Sequence, residues 1–369
     1  MPIRRSKHSS IIESLNEAQR IAFGPVLFQA VRAARKTEFL ACLSEKPRTQ
    51  AEAAQAAHIT DYAAGVLVDM LAAGGVIAKA EDGVLTLTQT GECLLFDEMT
   101  KVNFDFTADV CYRGMDHLTE ALEEGRPAGL KELGDWPTIY PAISVLPEPA
   151  RTSWYAFDHY YSDRYFATLA GALHGHLNPK EIFDVGGNTG KFAAACLREM
   201  PEARVTLVDL PPQCASARSN PALAPYAGRF STADVDWLDP QALPAVKTRA
   251  DVIWMSQFLD CFSPDEAVSI LRRCRTLLAP DGRFAVLECL TDRQAYEASA
   301  FSLAAVSLYF TAMANGNSRF YRASDLEDVF ARAGLEIEHR RSDVGVSHTL
   351  FVLKPSRPPC SSTFVPLPR

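Results

Sequence analysis

Glu181-Ile182-Phe183-Asp184-Val185-Gly186-Gly187-Asn188-Thr189-Gly190-Lys191-Phe192 reads as a strand that breaks into a glycine turn and re-forms as a helix, Phe192 to Met200. Glycines at such a turn let backbone approach a ligand where any Cβ would clash. After the next strand, Val205–Val208, Asp209 stands 23 residues beyond Gly186, where an acid accepts hydrogen bonds from ribose hydroxyls. A dinucleotide-binding register would place its first glycine at position 185, which is Val. The carboxylate of Asp184, at the strand end, would repel a pyrophosphate and welcome an ammonium group.

A ribose, an adenine and a cationic amino-acid head occur together in S-adenosylmethionine, so these acids fit that cofactor. A glycine turn without a ligand is the alternative reading. From Lys180 onward strands and helices alternate, the signature of a parallel sheet covered by helices. The other expected strands are Val252–Met255 and Phe284–Glu288, with a helix over Pro264–Leu278 and another over Ala323–Ala333. Leu335–His339 and Thr349–Leu353 are expected to close the sheet as a pair.

Upstream the texture is mainly helical. Thr60 or Asp61 is a candidate N-cap for a helix over Tyr62–Leu71, and Val76-Ile77 with Val84–Leu87 reads as a hairpin. Helices followed by a small β-wing make a winged-helix arrangement. No Lys or Arg occurs from Thr49 to Ala78, so that face lacks the cations a DNA reader needs, and dimerisation is the better reading. The expected organisation is a dimerisation domain over 1–105, a helical, aromatic-rich linker over 106–178 that contributes to a substrate pocket, a cofactor-binding domain over 179–355 and a flexible tail over 356–369. The fold class is α/β: a Rossmann-like, mostly parallel sheet with an antiparallel closing strand.

The 369 residues suit two or three folding units, and 47% hydrophobic with 22% charged residues is globular composition. A net charge of −8 disfavours nucleic acid or anionic membrane as a partner. Nine scattered cysteines without a CxxC pair point to reduced thiols in the cytoplasm and to no structural metal. Arg4, Arg5 and Lys7 are followed by polar sequence, unlike a signal peptide. Ala298–Ser318 carries no charge over 21 residues, but its serines and asparagines favour a buried helix over a membrane span.

The chain resembles the two-domain S-adenosylmethionine-dependent O-methyltransferases of the plant caffeate and acetylserotonin type and their bacterial secondary-metabolism relatives. The resemblance rests on Asp184-Val-Gly-Gly-Asn-Thr-Gly190, Asp209-Leu210-Pro211, Ala233-Asp234-Val235-Asp236-Trp237 and Phe258-Leu259-Asp260-Cys261-Phe262. It implies that Asp184, Gly186 and Gly187 border the cofactor's amino-acid part, that Asp209 and Leu210 meet the ribose, and that Asp234 and Val235 flank the adenine. Ser256 and Gln257 fall at a further cofactor position. His159, Tyr309, Met313 and Asn317 are pocket candidates.

At the family's catalytic histidine this sequence has Asp260, and Glu288 matches a glutamate that orients the base. A phenol titrates near ~10 and a free Asp near ~3.9, so Asp260 serves as a base only if its surroundings raise its pKa. Two carboxylates brought together in a cleft would do so. The expected function is methyl transfer to a small aromatic or polyketide-like acceptor by a homodimer, with O-methylation first. The alternatives are ring C-methylation and a cofactor-binding relative without methyl transfer.

Overall fold

The computed structural model describes residues 10–356. The chain divides into two compact units between Asp109 and Val110.

The N-terminal unit contains α1 (Ile11–Lys36), α2 (Phe39–Glu45), β1 (Arg48–Thr49), α3 (Gln50–Ala56), α4 (Asp61–Ala73), β2 (Ile77–Lys79), β3 (Val84–Leu87), α5 (Gln89–Phe96) and α6 (Glu98–Phe106). Thr60 caps α4 by accepting from the Ala63 N–H, and Thr49 with Glu52 forms a reciprocal capping box on α3. The wing is a three-stranded antiparallel sheet in the order β1-β3-β2, so the expected hairpin gains a third, two-residue strand. Phe39, Leu40, Leu71, Ile77 and Leu85 form its core. Much of α1 packs against nothing within its own unit: Ile11, Ile12, Leu15, Ile21, Phe23 and Val26 are all more than half exposed.

The second unit opens with α7 (Leu118–Glu124) and the 28-residue α8 (Ala150–Leu177). The segment read from sequence as a linker is therefore largely part of this unit. The elements β4 (Glu181–Val185), α9 (Lys191–Glu199), β5 (Arg204–Asp209), α10 (Pro211–Arg218), β6 (Phe230–Asp234), β7 (Ala250–Ser256), α11 (Pro264–Arg275), β8 (Leu278–Cys289), α12 (Glu297–Tyr309), α13 (Ala323–Arg332), β9 (Leu335–Val344) and β10 (His348–Pro355) follow. They form one seven-stranded sheet ordered β6-β5-β4-β7-β8-β10-β9. Strands β6, β5, β4, β7 and β8 run parallel, and β10 is antiparallel to both its neighbours.

Side-chain alternation along each strand decides which layer it feeds. Phe183, Val185, Ile253 and Met255 face the layer with α11 and α13. Ile182, Val252 and Trp254 face the other, with α8 and α9. The strand order reverses at β4, with β5 on one side and β7 on the other, and at such a point a crevice opens beyond the C-terminal strand ends.

Two sequence expectations change here. The uncharged segment is not a buried helix throughout. The window Glu297–Ala314 is long and apolar enough by composition to cross a membrane, but only 33% of it is buried, and Phe301 is 77% exposed. Burial is concentrated in its last, π-helical turn, Phe310–Ala314. Lack of charge does not distinguish a core helix from one with an open apolar face. The expected closing strand Thr349–Leu353 is longer, His348–Pro355, and the expected tail lies, from position 357, outside the described residues.

Candidate functional site

All the parallel strands end at one rim, and the expected site residues stand on it. Register pairs Val185 with Val208 and Met255, and Asp209 with Asp234. Thus Gly186, Asp209, Asp234, Ser256 and Glu288 mark the ends of β4, β5, β6, β7 and β8. The glycines of the first turn are demanded by the protein's own packing. Gly186 has φ +73°, and a Cβ there would collide with the Phe258 ring. A Cβ on Gly187 would lie 2.7 Å from Asp184 Oδ2.

Asp184 does not stand where the sequence reading put it. Alternation places it on the α9 side with Ile182, 2% exposed beneath the turn, where its carboxylate accepts the Ala193 N–H at the start of α9. Its Oδ2 lacks a hydrogen-bond partner, and burial foremost, then Asp209, pushes its pKa up to about 7. Asp184 shapes the turn from below.

Asp209 occupies the open side. Its Oδ2 accepts the Asn188 N–H at 2.9 Å and its Oδ1 the Leu210 N–H at 2.7 Å, and its carbonyl accepts the Val235 N–H at 2.9 Å. Burial raises its pKa to about 6, against the two N–H bonds. Each carboxylate oxygen keeps a lone pair for a further donor. Asp234 is exposed, with Arg218 Nη1 at 3.7 Å, while Val235 is buried and gives an apolar wall. Ser256 Oγ is buried without a hydrogen-bond partner. Gln257 turns away: it has φ +47°, and its Oε1 lies 2.6 Å from His348 Nε2 on β10. Its side chain braces the sheet. The turn, the half-open Asp209 and the unpartnered Ser256 hydroxyl fit a nucleoside bearing an amino-acid head.

The second cluster forms around the turn after β7. Asp260 is 2% exposed, and its pKa is pushed up to about 7, mainly by burial and further by Asp158, against the Cys261 thiol whose Sγ lies 3.5 Å from Oδ1. Glu288 is fully buried. Its Oε1 accepts the N–H groups of Phe258 at 3.1 Å and Leu259 at 2.8 Å, and its Oε2 has no partner. Glu288 therefore orients the turn that carries Asp260 by gripping its backbone. Burial, and then the Asp260 charge, hold its pKa well above the usual carboxylate range.

Around Asp260 the structure gathers residues the sequence reading passed over. Tyr140 is buried beside Cys261, Tyr309 and Asp260, and burial first of all pushes its phenol pKa up. Asn315 Nδ2 donates to the Cys261 carbonyl at 2.6 Å, fixing the same turn. Asp158 on α8 acts on both Asp260 and Tyr309. Of the pocket candidates, Tyr309 belongs to this cluster, its hydroxyl accepting from Trp154 Nε1 at 2.9 Å. His159 neighbours Asp158, with its Nε2 buried and 3.9 Å from Asp158 Oδ2. Met313 is fully buried against Gly114. Asn317 belongs elsewhere: it lies in an outer groove of about 810 Å³ with Ser307, Arg319 and Arg332. Among the described residues no group of three or more His, Cys, Asp or Glu could hold a metal ion.

A mostly parallel seven-stranded sheet with an acid-bearing rim at its switch point defines the class I methyltransferase fold. Residues 175–336 match the O-methyltransferase domain and residues 16–83 the Dimerisation2-like domain. These are the two kinds of domain, in the same order, that the sequence resemblance implied. The fold matches that of the mitomycin 7-O-methyltransferase MmcR, with a TM-score of 0.71 over 94% of this chain and 98% of that one at 22% identity. It is 27% identical over 186 residues to a 3-amino-4-hydroxybenzoate 4-O-methyltransferase of Streptomyces cremeus, covering 49% of this chain and 47% of that protein. It is 32% identical over 163 residues to the aclacinomycin 10-hydroxylase RdmB of Streptomyces purpurascens, covering 44% and 41%. The chain spans somewhat under half the length of the curated relatives it matches.

Proposed function

We propose that this protein is an S-adenosylmethionine-dependent methyltransferase, acting as a homodimer on a hydroxyl of a small aromatic or polyketide-like metabolite. The observation that carries the reading is the pairing of two clusters on one rim: a turn and acid suited to a nucleoside, and a buried carboxylate beyond it. When bound, S-adenosylmethionine supplies an electrophilic methyl group on a positive sulfur. The protein's own part is to bind and align, and to manage one proton. Asp209 takes ribose hydroxyls, Val235 covers the adenine, and Ser256 offers its hydroxyl to the amino-acid head. Asp260 accepts the acceptor's hydroxyl proton, which its raised pKa equips it to do near neutral pH. Glu288 and Asn315 hold the turn that aims it.

A second reading is supported by a specific residue. Asp260 stands where the resemblance implies histidine, and one relative is named a hydroxylase rather than a methyltransferase. Mass spectrometry with isotopically labelled cofactor and a panel of phenolic acids separates the two. A labelled methyl group in the product supports methyl transfer; cofactor binding with an unlabelled panel supports the second reading. The open apolar residues of α1 and the matched dimerisation domain support the homodimer, and light scattering should give twice the 40.5 kDa chain mass. Eight free thiols among the described residues suit a cytoplasmic setting.

A further inference from the structure

Asp158 helps to raise the pKa of Asp260, but its own hydrogen-bond setting has a further use. It projects from α8, and its Oδ2 accepts from Asn188 Nδ2 at 3.2 Å. Asn188 sits within the glycine turn at φ +48°, and its backbone N–H donates to Asp209 Oδ2. One residue thus ties Asp158 to the acid proposed for the ribose and fixes the direction of the Asp158 carboxylate.

The Asp158 side chain keeps 29% of its surface accessible, yet it is crowded enough that burial dominates its electrostatics. The charges facing it are mostly of its own sign. Asp163 lies on the same helix, and Asp260 faces it from the turn after β7. Lys191, at the start of α9, is committed to an ion pair with Asp163. His159 is held toward its neutral form, chiefly by burial. Burial, then Asp163, pushes the pKa of Asp158 up to about 7, against Asn188 and Lys191.

We propose that Asp158, steered by Asn188, receives the α-ammonium of the cofactor's amino-acid head. This rests on the S-adenosylmethionine reading above. The ammonium offers three N–H donors to a carboxylate that keeps free lone pairs, whereas a sulfonium offers none. Asp184, the acid the sequence suggested for this role, is turned beneath the loop and occupied with Ala193.

The test is calorimetry with three ligands: S-adenosylmethionine, S-adenosylhomocysteine, which lacks the sulfonium charge, and 5′-methylthioadenosine, which lacks the amino-acid head. Asp158→Asn should weaken the first two alike, by about 10- to 100-fold, and leave the third unchanged. Equal weakening of all three would make Asp158 a structural residue and overturn the assignment. So would weakening of S-adenosylmethionine alone, which would point to the sulfonium, or no change in any. Should Asp158→Asn fail to fold, Asp158→Ser reads the same contrast. Failure of the wild-type protein to bind any of the three would instead remove the cofactor reading, and this assignment with it.

Discussion

At the ends of β4 and β5 the acids are tied to backbone: Asp184 takes the Ala193 N–H, and Asp209 takes those of Asn188 and Leu210. Beyond β7, Asp260 is as buried as Asp184, but besides its own backbone N–H it meets a thiol and the charge of Asp158. A carboxylate anchored by N–H groups is a fixed binding surface, because those bonds favour its charged form and its position. All three carboxylates have raised pKa values, so what sets Asp260 apart is its place beyond β7, beside Asp158 and the phenols of Tyr140 and Tyr309. The two regions of one rim thus divide binding from proton transfer, and that division can be broken experimentally.

The largest effect is expected at Asp260. Asp260→Asn should lower the turnover number by about 10²–10⁴-fold while calorimetry finds S-adenosylhomocysteine affinity nearly unchanged. A loss under about threefold, with the fold intact, would reduce Asp260 to a packing residue and favour transfer by alignment alone. Gly186→Ala comes next. It adds a Cβ against Phe258 in a left-handed backbone, and thermal or urea denaturation should show a loss of about 2–4 kcal/mol. Because Phe258 begins the Asp260 turn, this variant should disturb both regions at once. Asp209→Ala should cost about 1–3 kcal/mol in cofactor affinity with little effect on the rate at saturation, the converse of Asp260→Asn.

The glycine turn and the strands on either side of it were largely legible in the sequence. Strand, glycine turn and helix carry strong local signals, and Asp209 follows at fixed spacing, so the rim could be drawn from positions 181–209 alone. Asp184 was misjudged through parity: lying two residues after Ile182, it shares that residue's face and goes beneath the turn. The acceptor side was less legible because it is assembled from distant segments. Tyr140, Asp158 and Asn315 reach Asp260 from more than 50 residues away on either side, and no spacing rule connects them. The contact of Gln257 with His348 was not legible, because the positive φ at Gln257 leaves no mark in composition. The uncharged α12 segment shows the same limit, since its apolar residues do not reveal whether they face the core.

The most direct test of the division is the pH dependence of methyl transfer under cofactor saturation. A base must be ionised to work, so with Asp260 held near 7 the wild-type rate should rise as pH increases through about 7 and level off above it. In Asp260→Asn that inflection should vanish, leaving a slow rate without a step at that pH. A wild-type profile flat from pH 5.5 to 8.5, or an inflection that survives in Asp260→Asn, would contradict the assignment of proton transfer to this carboxylate.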